Sequence, residues 1–370
     1  MISEMIRKRI AEQALCGTGW RYDWQQILQK KKLTLAFIGG SVTQGYANGD
    51  VYKEPYPMLV KQALEEQGTE VEEWICAAPG MNCMVGTLLC DDFILAKKPD
   101  LVFVEFAINE TTLRPSVHAF ESLLRKLVTA DPAPAVCIVV LRNMSGYSCE
   151  TYMAPIADYY GLPAIVLRKG LDPVLEEGTL RWTDYADEES HPNPDGHRLI
   201  ADCVLHLLDE AKKAEEPADL PIPAPWLGAP FLKMRYFTPE MLPGVQTDSP
   251  IVRKDNWAFP HAFRIHPETG DWTLTLTAES LVLYYEIHSL PEYGDCEILL
   301  DGKPMKQPIL HGNSIYGWGN IFHCTVFTAQ EPETHTVTLR PVDGAFFITG
   351  AGICGFVPSE NPTASEGKSS

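Results

Sequence analysis

The strongest constraint on the fold of this chain is an alternation of continuous apolar segments with helical patterns between residues 33 and 213. Strands that are apolar throughout are buried on both faces, which is typical of parallel strands covered by helices. The apolar segments are Leu33–Ile38, Val71–Cys76, Leu101–Ala107, Val136–Leu141 and Ala164–Leu167, and the helical patterns are Pro57–Gln67, Met84–Ala96, Val117–Thr129, Tyr152–Tyr160 and Gly196–Lys212. We therefore predict a three-layer, doubly wound α/β domain with a parallel five-stranded sheet.

The pattern changes after a proline-rich segment, in which five prolines lie between Pro217 and Pro230. Proline fixes φ and removes a backbone donor, so this segment is predicted to be a stiff linker. Beyond it, apolar residues alternate in period two, which indicates an antiparallel β-sandwich. The alternating segments are Trp272–Thr277, Leu281–His288, Glu297–Leu300, Ile321–Phe327 and His335–Leu339. The predicted organisation is an α/β domain with an N-terminal helical extension at 1–215, a linker at 216–230, a β-sandwich at 231–358 and a disordered tail at 359–370.

Charge and cysteine content narrow the classes of partner and compartment. The formal net charge of −19 argues against nucleic acid and anionic membranes, since both require a basic face. The sequence contains no run of 18 apolar residues, so we expect no membrane span. No apolar segment typical of a secretory signal follows the charged residues 1–9. The ten cysteines are scattered without the spacing of zinc ligands, which is typical of reduced thiols. We expect a cytoplasmic protein with no metal and no cofactor; homo-oligomerisation is left open.

A glycine turn follows the first predicted strand, at Gly39-Gly40-Ser41. Ligands of open α/β sheets bind outside the carboxyl ends of the strands, so Ser41 is predicted to face the binding crevice. Paired glycines let the backbone bend and bring an N–H group towards a bound oxyanion, which makes Gly40 a candidate substrate-binding residue. The spacing excludes a phosphate-binding loop, because Tyr46 replaces its lysine, and excludes the Gly-x-Ser-x-Gly elbow, because Thr43 replaces its last glycine. Taken alone, the segment also fits a purely structural turn.

A histidine block lies 150 residues after Ser41, in the segment from Asp187 to His197. A serine hydroxyl becomes nucleophilic when a base takes its proton, and that base is usually a histidine oriented by an acid. Here Glu188 precedes His191 by three residues, and a Pro-Asn pair and a helix follow. The combination favours a catalytic role for Ser41 and His191.

These features resemble the SGNH/GDSL hydrolase superfamily over about residues 33–213. That family has Gly-Asp-Ser or Gly-Gly-Ser after the first strand, a glycine after the second, Gly-x-Asn-Asp after the third, and Asp-x-x-His-Pro near the end of the domain. The matching segments are Gly39-Gly40-Ser41, Ala78-Pro79-Gly80, Ala107-Ile108-Asn109-Glu110 and Glu188-x-x-His191-Pro192. All four blocks agree in order and spacing, and together they are far more specific than any one of them.

The resemblance implies a role for each matched residue. Ser41 would attack the acyl carbon and His191 would act as general base. The oxyanion hole would consist of the N–H groups of Ser41 and Gly80 and the side-chain amide of Asn109. A neutral amide at the end of an apolar strand also suits this role on physical grounds, because it can donate to developing negative charge.

Three departures from the family pattern leave alternatives open. Ala107 and Glu110 replace the glycine and aspartate of the third block, which puts the placement of Asn109 in doubt. Glu188 stands at the position of the family's aspartate, and Asp187 is the alternative acid. His197, at the start of the last helix, is interpreted as a structural or capping residue.

The β-rich region resembles a carbohydrate-binding module of the jelly-roll kind, and the whole arrangement resembles carbohydrate esterase family 17. This resemblance implies a serine esterase that removes O-acetyl groups from acetylated oligosaccharides, with mannan-type substrates favoured. The glycine-rich segment 312–320 contains Tyr316, Trp318 and Asn320, which would suit sugar binding, although such aromatic residues equally suit core or interface packing. Alternative functions are an esterase, thioesterase or acyltransferase for another small acyl substrate, and a non-catalytic carbohydrate-binding protein.

Overall fold

The computed structural model describes residues 1–16, 21–47, 50–214 and 221–358, and the tail predicted at 359–370 lies outside them. The chain forms two compact units, Met1–Leu232 and Lys233–Ser370. Each unit has its own buried apolar cluster. The first unit is an α/β domain and the second is an antiparallel β-sandwich, so the predicted fold class is confirmed.

The sheet of the first unit has six strands. Its strand order is β1-β8-β7-β6-β2-β5, and a separate hairpin pairs β3 with β4. The strands are β1 (Leu15–Cys16), β2 (Lys32–Gly39), β3 (Tyr46–Ala47), β4 (Asp50–Val51), β5 (Glu70–Ala77), β6 (Leu101–Glu105), β7 (Ala135–Val140) and β8 (Ala164–Val166). The five predicted parallel strands are confirmed, but the predicted strand count is corrected by β1, which adds a sixth, antiparallel strand at the edge. Two residues are too few to leave a periodic signal in the sequence.

Ten α-helices lie among the described residues of this unit. They are α1 (Glu4–Ala14), α2 (Trp24–Leu28), α3 (Ser41–Gln44), α4 (Tyr56–Glu66), α5 (Cys83–Leu89), α6 (Arg114–Val128), α7 (Glu150–Tyr159), α8 (Leu167–Glu176), α9 (Trp182–Tyr185) and α10 (Pro194–Ala211). The predicted helix 84–96 is α-helical only to Leu89 and continues as a π-helical turn, Cys90–Ile94, and a 3-10 turn, Leu95–Lys97.

Two predicted strands are shorter than their apolar runs. The strand predicted to reach Ala107 ends at Glu105, because the chain then turns and the N–H of Asn109 donates to the carbonyl of Phe106 over 2.9 Å. The strand predicted to end at Leu167 stops one residue earlier, where α8 begins. Sequence analysis missed α8, whose interior contains Gly170 and Pro173, two residues that break helical patterns.

The sheet order creates a crevice at the carboxyl end of β2. Strand β5, which follows β2 in the α/β sheet, pairs with one edge of β2, and the chain then crosses over to β6, which pairs with the other edge of β2. At such a reversal the loops diverge, and open α/β sheets bind their ligands there. The segments that follow β2, β5 and β6 carry Ser41, Gly80 and Asn109, respectively.

The described part of the predicted linker packs on the first unit. The carboxylate of Glu121 in α6 accepts hydrogen bonds from the backbone N–H groups of Trp226, Leu227 and Gly228. Glu121 is fully buried, and these donors replace the water that its carboxylate loses. Residues 221–232 are thereby attached to α6, whereas residues 215–220 lie outside the described part of the chain.

The second unit contains a nine-stranded antiparallel sheet system. Its strands are β9 (Arg235–Phe237), β10 (Val245–Gln246), β11 (Ile251–Arg253), β12 (His261–Ile265), β13 (Trp272–His288), β14 (Asp295–Leu300), β15 (Lys303–His311), β16 (Trp318–Pro341) and β17 (Phe346–Cys354). The segments predicted as separate strands at 272–277 and 281–288 join in β13, and those at 321–327 and 335–339 join in β16. These two long strands pair along their length, with a shift in register between Ala278 and Ser280. Such a bulge interrupts the period-two pattern without ending the strand, which explains the difference.

No helix in the described residues is both long and apolar enough to cross a membrane. All ten cysteines are free thiols, eight of them buried, as the sequence predicts.

Candidate active site

Ser41 is the first residue of the short helix α3, immediately after the end of β2. The helix has one turn and ends at Gly45, whose φ of 89° lies in the left-handed region that glycine tolerates without strain. Ser41 is 5% exposed, so its hydroxyl lies at the floor of the crevice rather than on an open surface.

His191 lies next to Ser41. Its Nε2 atom is 2.8 Å from Oγ of Ser41, and its Nδ1 atom makes a short hydrogen bond with the carboxylate of Glu188. The loop that carries both residues is closed by a bridge between Ala186 and Pro192, and α10 begins directly behind it with Asn193 as its N-cap. This geometry lets a base take the serine proton while an acid orients the base and stabilises its cation.

The two candidate acids have different partners. Asp187 lies 3.4 Å from the hydroxyl of Tyr52 and 3.4 Å from the side-chain amide of Asn193, and no bond joins it to His191. Glu188 is fixed through its backbone as well, since the indole Nε1 of Trp182 donates to its carbonyl over 2.8 Å. The structure therefore brings Glu188, and not Asp187, to the ring of His191.

The side-chain amide of Asn109 lies beside the serine turn. Its Nδ2 donates to the carbonyl of Met81 over 2.8 Å, which fixes the amide and leaves its second hydrogen for another acceptor. A Cβ built on Gly40 would lie 2.1 Å from this nitrogen, so only glycine permits the approach. Gly80 follows β5 with a φ of 70°, in the left-handed region.

The two residues that depart from the family pattern of the third block, Ala107 and Glu110, fit their surroundings in the structure. Ala107 is buried and is not among the described residues with positive φ, so its position does not require glycine. The carboxylate of Glu110 accepts a hydrogen bond from the N–H of Cys83, the first residue of α5, where the helix dipole favours negative charge. Burial raises the pKa of Glu110, and the hydrogen bonds from Cys83 oppose that shift. Glu110 thereby ties the Asn109 segment to α5.

The predicted sugar-binding residues of the 312–320 segment lie in the second unit. Tyr316 and Trp318 are 76% and 57% exposed, and Asn320 accepts a hydrogen bond from the N–H of Trp318 over 3.1 Å. The two rings are therefore not part of the sandwich core.

His197 is a packing residue. It is fully buried, its ring stacks on Tyr56, and its Nδ1 accepts the N–H of Tyr56 over 3.3 Å. Burial lowers the pKa of His197 to about 4, so the ring is neutral near pH 7. The predicted structural role agrees with these contacts, although the cap of α10 is Asn193.

Two residues that border this site were not predicted as site residues from the sequence. The ring of Tyr46 meets the ring of His191 edge to face, with the centroids 5.3 Å apart. The hydroxyl of Tyr147 donates to the carbonyl of Glu110, next to Asn109, and its ring is half-exposed. Neither has a local sequence signal, because both act through residues distant in the chain. Within the described residues, no three His, Cys, Asp or Glu side chains converge to hold a metal ion.

Residues 37–199 match the model of the GDSL-like lipase/acylhydrolase family. This stretch runs from the end of β2 to the first turns of α10 and contains every residue of the arrangement around Ser41. The match lies within the first unit, and it supports a carboxylic ester hydrolase. No curated protein sequence matches this chain.

Two solved structures resemble this GDSL-like protein over both of its units. Both are crystal structures of a two-domain esterase (CEX) active on acetylated mannans, the second co-crystallised with mannopentaose. Each is 22% identical and covers 95% of this chain and 99% of its own, with TM-scores of 0.82 and 0.81. At this identity the likeness establishes a shared fold, in which a GDSL-like unit is joined to a β-sandwich.

Proposed function

We propose that this protein is a serine esterase that removes O-acetyl groups from acetylated oligosaccharides. The observation that carries the proposal is the hydrogen-bonded series from Glu188 through His191 to Ser41, with the Asn109 amide beside the serine turn. This set supplies a nucleophile, a base, an orienting acid and an oxyanion donor, which are the components of acyl transfer.

The proposed reaction has two stages. Ser41 Oγ attacks the acetyl carbonyl carbon while His191 Nε2 accepts the hydroxyl proton. The N–H groups of Ser41 and Gly80 and the amide of Asn109 donate to the oxyanion. When this intermediate collapses, the sugar oxygen leaves with the proton from His191, and Ser41 carries the acetyl group. A water molecule then gives a proton to His191 and attacks the acetyl-serine, and His191 returns that proton to Oγ of Ser41 as acetate is released.

Glu188 would keep the imidazole in the required tautomer. A hydrogen bond from Nδ1–H to the carboxylate leaves Nε2 free to accept the proton of Ser41. The carboxylate also stabilises the imidazolium that forms during each stage. No step of this sequence requires a metal or a cofactor.

Acetylated mannan oligosaccharides are the favoured substrates. The two-domain esterase with which this chain shares its fold is active on acetylated mannans, and an uncharged sugar suits a protein with a net charge of −19. The exposed rings of Tyr316 and Trp318 would stack on the apolar faces of sugar rings, with Asn320 as a polar partner. Binding by the β-sandwich would raise the effective concentration of the oligosaccharide.

Acetate release from a panel of substrates tests the proposal. The panel contains acetylated manno-oligosaccharides, acetylated xylo-oligosaccharides and 4-nitrophenyl esters of increasing chain length. We expect the highest kcat/KM on the acetylated manno-oligosaccharides and a fall with acyl length among the nitrophenyl esters. A rate that rises with acyl length would instead favour a lipid or thioester substrate, and absence of hydrolysis would leave only a carbohydrate-binding role.

A further inference from the structure

A fully buried glutamate lies behind the serine turn and has no part in the proposed reaction. Glu105 is the last residue of β6, and every residue of that strand is buried. An isolated carboxyl group is costly to bury, so its retention at this position requires an explanation. Its backbone carbonyl accepts the N–H of Gly40 over 3.2 Å.

The carboxyl group of Glu105 binds the short helix that carries the nucleophile. The hydroxyl of Thr43 donates to its Oε2 over 2.9 Å. Thr43 follows Ser41 by two residues in α3, and its hydroxyl also lies 3.0 Å from the hydroxyl of Tyr56. Glu105 thus contacts the residues on both sides of Ser41, Thr43 through its carboxyl group and Gly40 through its backbone carbonyl.

The packing around this contact leaves little freedom. A Cβ built on Gly39 would lie 2.2 Å from Oγ1 of Thr43 and 2.7 Å from the carbonyl oxygen of Glu105. Any shift of α3 away from β6 would break the bonds to the carboxyl group, and a shift towards β6 would meet these atoms. Both Oγ of Ser41 and its N–H group, a proposed oxyanion donor, depend on the placement of this turn.

We propose that Glu105 is a positioning residue for the nucleophile, which acts through Thr43 and Gly40 to fix the orientation of the Ser41 turn. This inference rests on the proposed serine-esterase function. Misplacement of a reacting group by about 1 Å can cost on the order of a hundredfold in rate. A residue that sets this distance therefore contributes to catalysis without touching the substrate.

The state of the carboxyl group affects the strength of this contact. Burial raises the pKa of Glu105 to about 7, and the hydrogen bonds from Thr43 and Gly40 oppose that shift. A carboxylate accepts hydrogen bonds more strongly than the neutral acid, so ionisation tightens the contact with α3. Rising pH through 7 should therefore improve the placement of Ser41.

The titratable groups that face Glu105 stay neutral in this range. Burial raises the pKa of two phenols and one thiol well above neutrality. They are Tyr56 on α4, Cys83 on α5 and Tyr185 on α9. His197 on α10, behind Tyr56, has a pKa of about 4 and is uncharged above pH 6. The change of charge near pH 7 in this group of residues thus belongs to Glu105.

The test compares Glu105→Gln with Glu121→Gln in the full-length protein. Glu121 is the matched control, because it is equally buried and bonded to backbone N–H groups but lies on α6. The measurements are Tm and the pH profile of kcat/KM for 4-nitrophenyl acetate from pH 5.5 to 9. We expect Glu105→Gln to lower kcat/KM at least about tenfold at pH 8 and to lose the component that rises through pH 7. Glu121→Gln should change Tm alone.

The outcomes separate this inference from the proposed function. Wild-type kcat/KM and an unchanged pH profile in Glu105→Gln, in a preparation where Ser41→Ala is inactive, would overturn only the positioning role. Full activity of Ser41→Ala would remove both. If Glu105→Gln does not fold, Thr43→Val tests the same contact from the other side, and we expect a similar loss of kcat/KM at pH 8. A wild-type rate in a folded Thr43→Val protein would count against the inference.

Discussion

Oγ of Ser41 and Nε2 of His191 lie 2.8 Å apart, although the two residues are 150 positions apart in the chain. One follows strand β2, and the other lies in a loop that is closed by the Ala186–Pro192 bridge just before α10. Two elements that are distant in the chain thus bring the reactive atoms within hydrogen-bonding distance.

The first prediction concerns the nucleophile and the base. Ser41→Ala and His191→Ala should each lower kcat/KM for 4-nitrophenyl acetate by at least about 10³-fold, because removal of either leaves no activated nucleophile. The double variant should be no slower than the worse single one, since the two residues act as a unit. A fluorophosphonate should label the wild-type protein and fail to label Ser41→Ala. Labelling of a folded Ser41→Ala protein would contradict the assignment.

The second prediction distinguishes the two acids. Glu188→Gln should lower kcat by about 10²-fold or more, because it removes the carboxylate that orients His191 and stabilises its cation. Asp187→Asn is the matched control and should stay within about threefold of wild type, since Asp187 contacts Tyr52 and Asn193 instead. Steady-state kinetics of the two variants, measured side by side, decide between them. The reverse ranking would make Asp187 the acid.

A third prediction addresses the oxyanion hole. Asn109→Ala should lower kcat by about 10²–10³-fold with little change in KM, because the lost donor acts mainly in the transition state. Gly40→Ala should have a similar effect, since its added Cβ would lie 2.1 Å from the Asn109 amide and displace it. Equal activity of Asn109→Ala and wild type would exclude this amide from the oxyanion hole.

The fourth prediction concerns the exposed rings of the second unit. Tyr316→Ala and Trp318→Ala should raise KM several-fold for acetylated oligosaccharides and leave kinetics with 4-nitrophenyl acetate unchanged, because that ester is too small to use a sugar platform. Both rings are largely exposed, so Tm should change little. Phe322→Ala, which alters another half-exposed ring of β16, is a suitable control. Unchanged KM for oligosaccharides in both variants would exclude these rings from substrate binding.

The fifth prediction concerns stability and pH. Because the pKa of Glu105 is raised to about 7, the folded protein binds more protons than the unfolded chain between about pH 4.5 and 7. The contribution of Glu105 is therefore complete below pH 4.5 and is lost as pH rises through 7, by about 3 kcal/mol at most. His197 acts in the opposite direction, since its lowered pKa removes stability as pH falls from 6.5 towards 4.

A comparison of variants isolates the Glu105 contribution. The difference in the free energy of unfolding between wild type and Glu105→Gln, obtained from urea titrations at several pH values, cancels the effect of His197. We expect the variant to gain stability relative to wild type as pH rises from 5 to 8. A difference that stays constant over this range would show that Glu105 does not titrate there.

The parts of the fold that depend on local pattern were predictable from sequence. Apolar runs predicted the five parallel strands. Strands β7 and β8 are buried along their whole length, which excludes polar residues from them, whereas the edge strand β5 contains Glu72 and Glu73 and is partly exposed. The two-residue strand β1 and the unbroken lengths of β13 and β16 were not predictable. Pairing with neighbouring strands determines all three, and register shifts between β13 and β16 disrupt the period-two pattern.

For the candidate site, the chemical types of the residues and their order in the chain were enough to select Ser41, His191, Gly80 and Asn109 as candidates. The choice between Glu188 and Asp187 was left open by sequence, because adjacent carboxylates differ only in the direction of their side chains. Tertiary contacts bring only Glu188 to the ring of His191: Trp182 bonds to the backbone of Glu188, and Tyr52 and Asn193 contact the carboxylate of Asp187. The role proposed for Glu105 also depends on tertiary structure, because a carboxylate that ends an apolar strand acquires a partner only when α3 packs against β6.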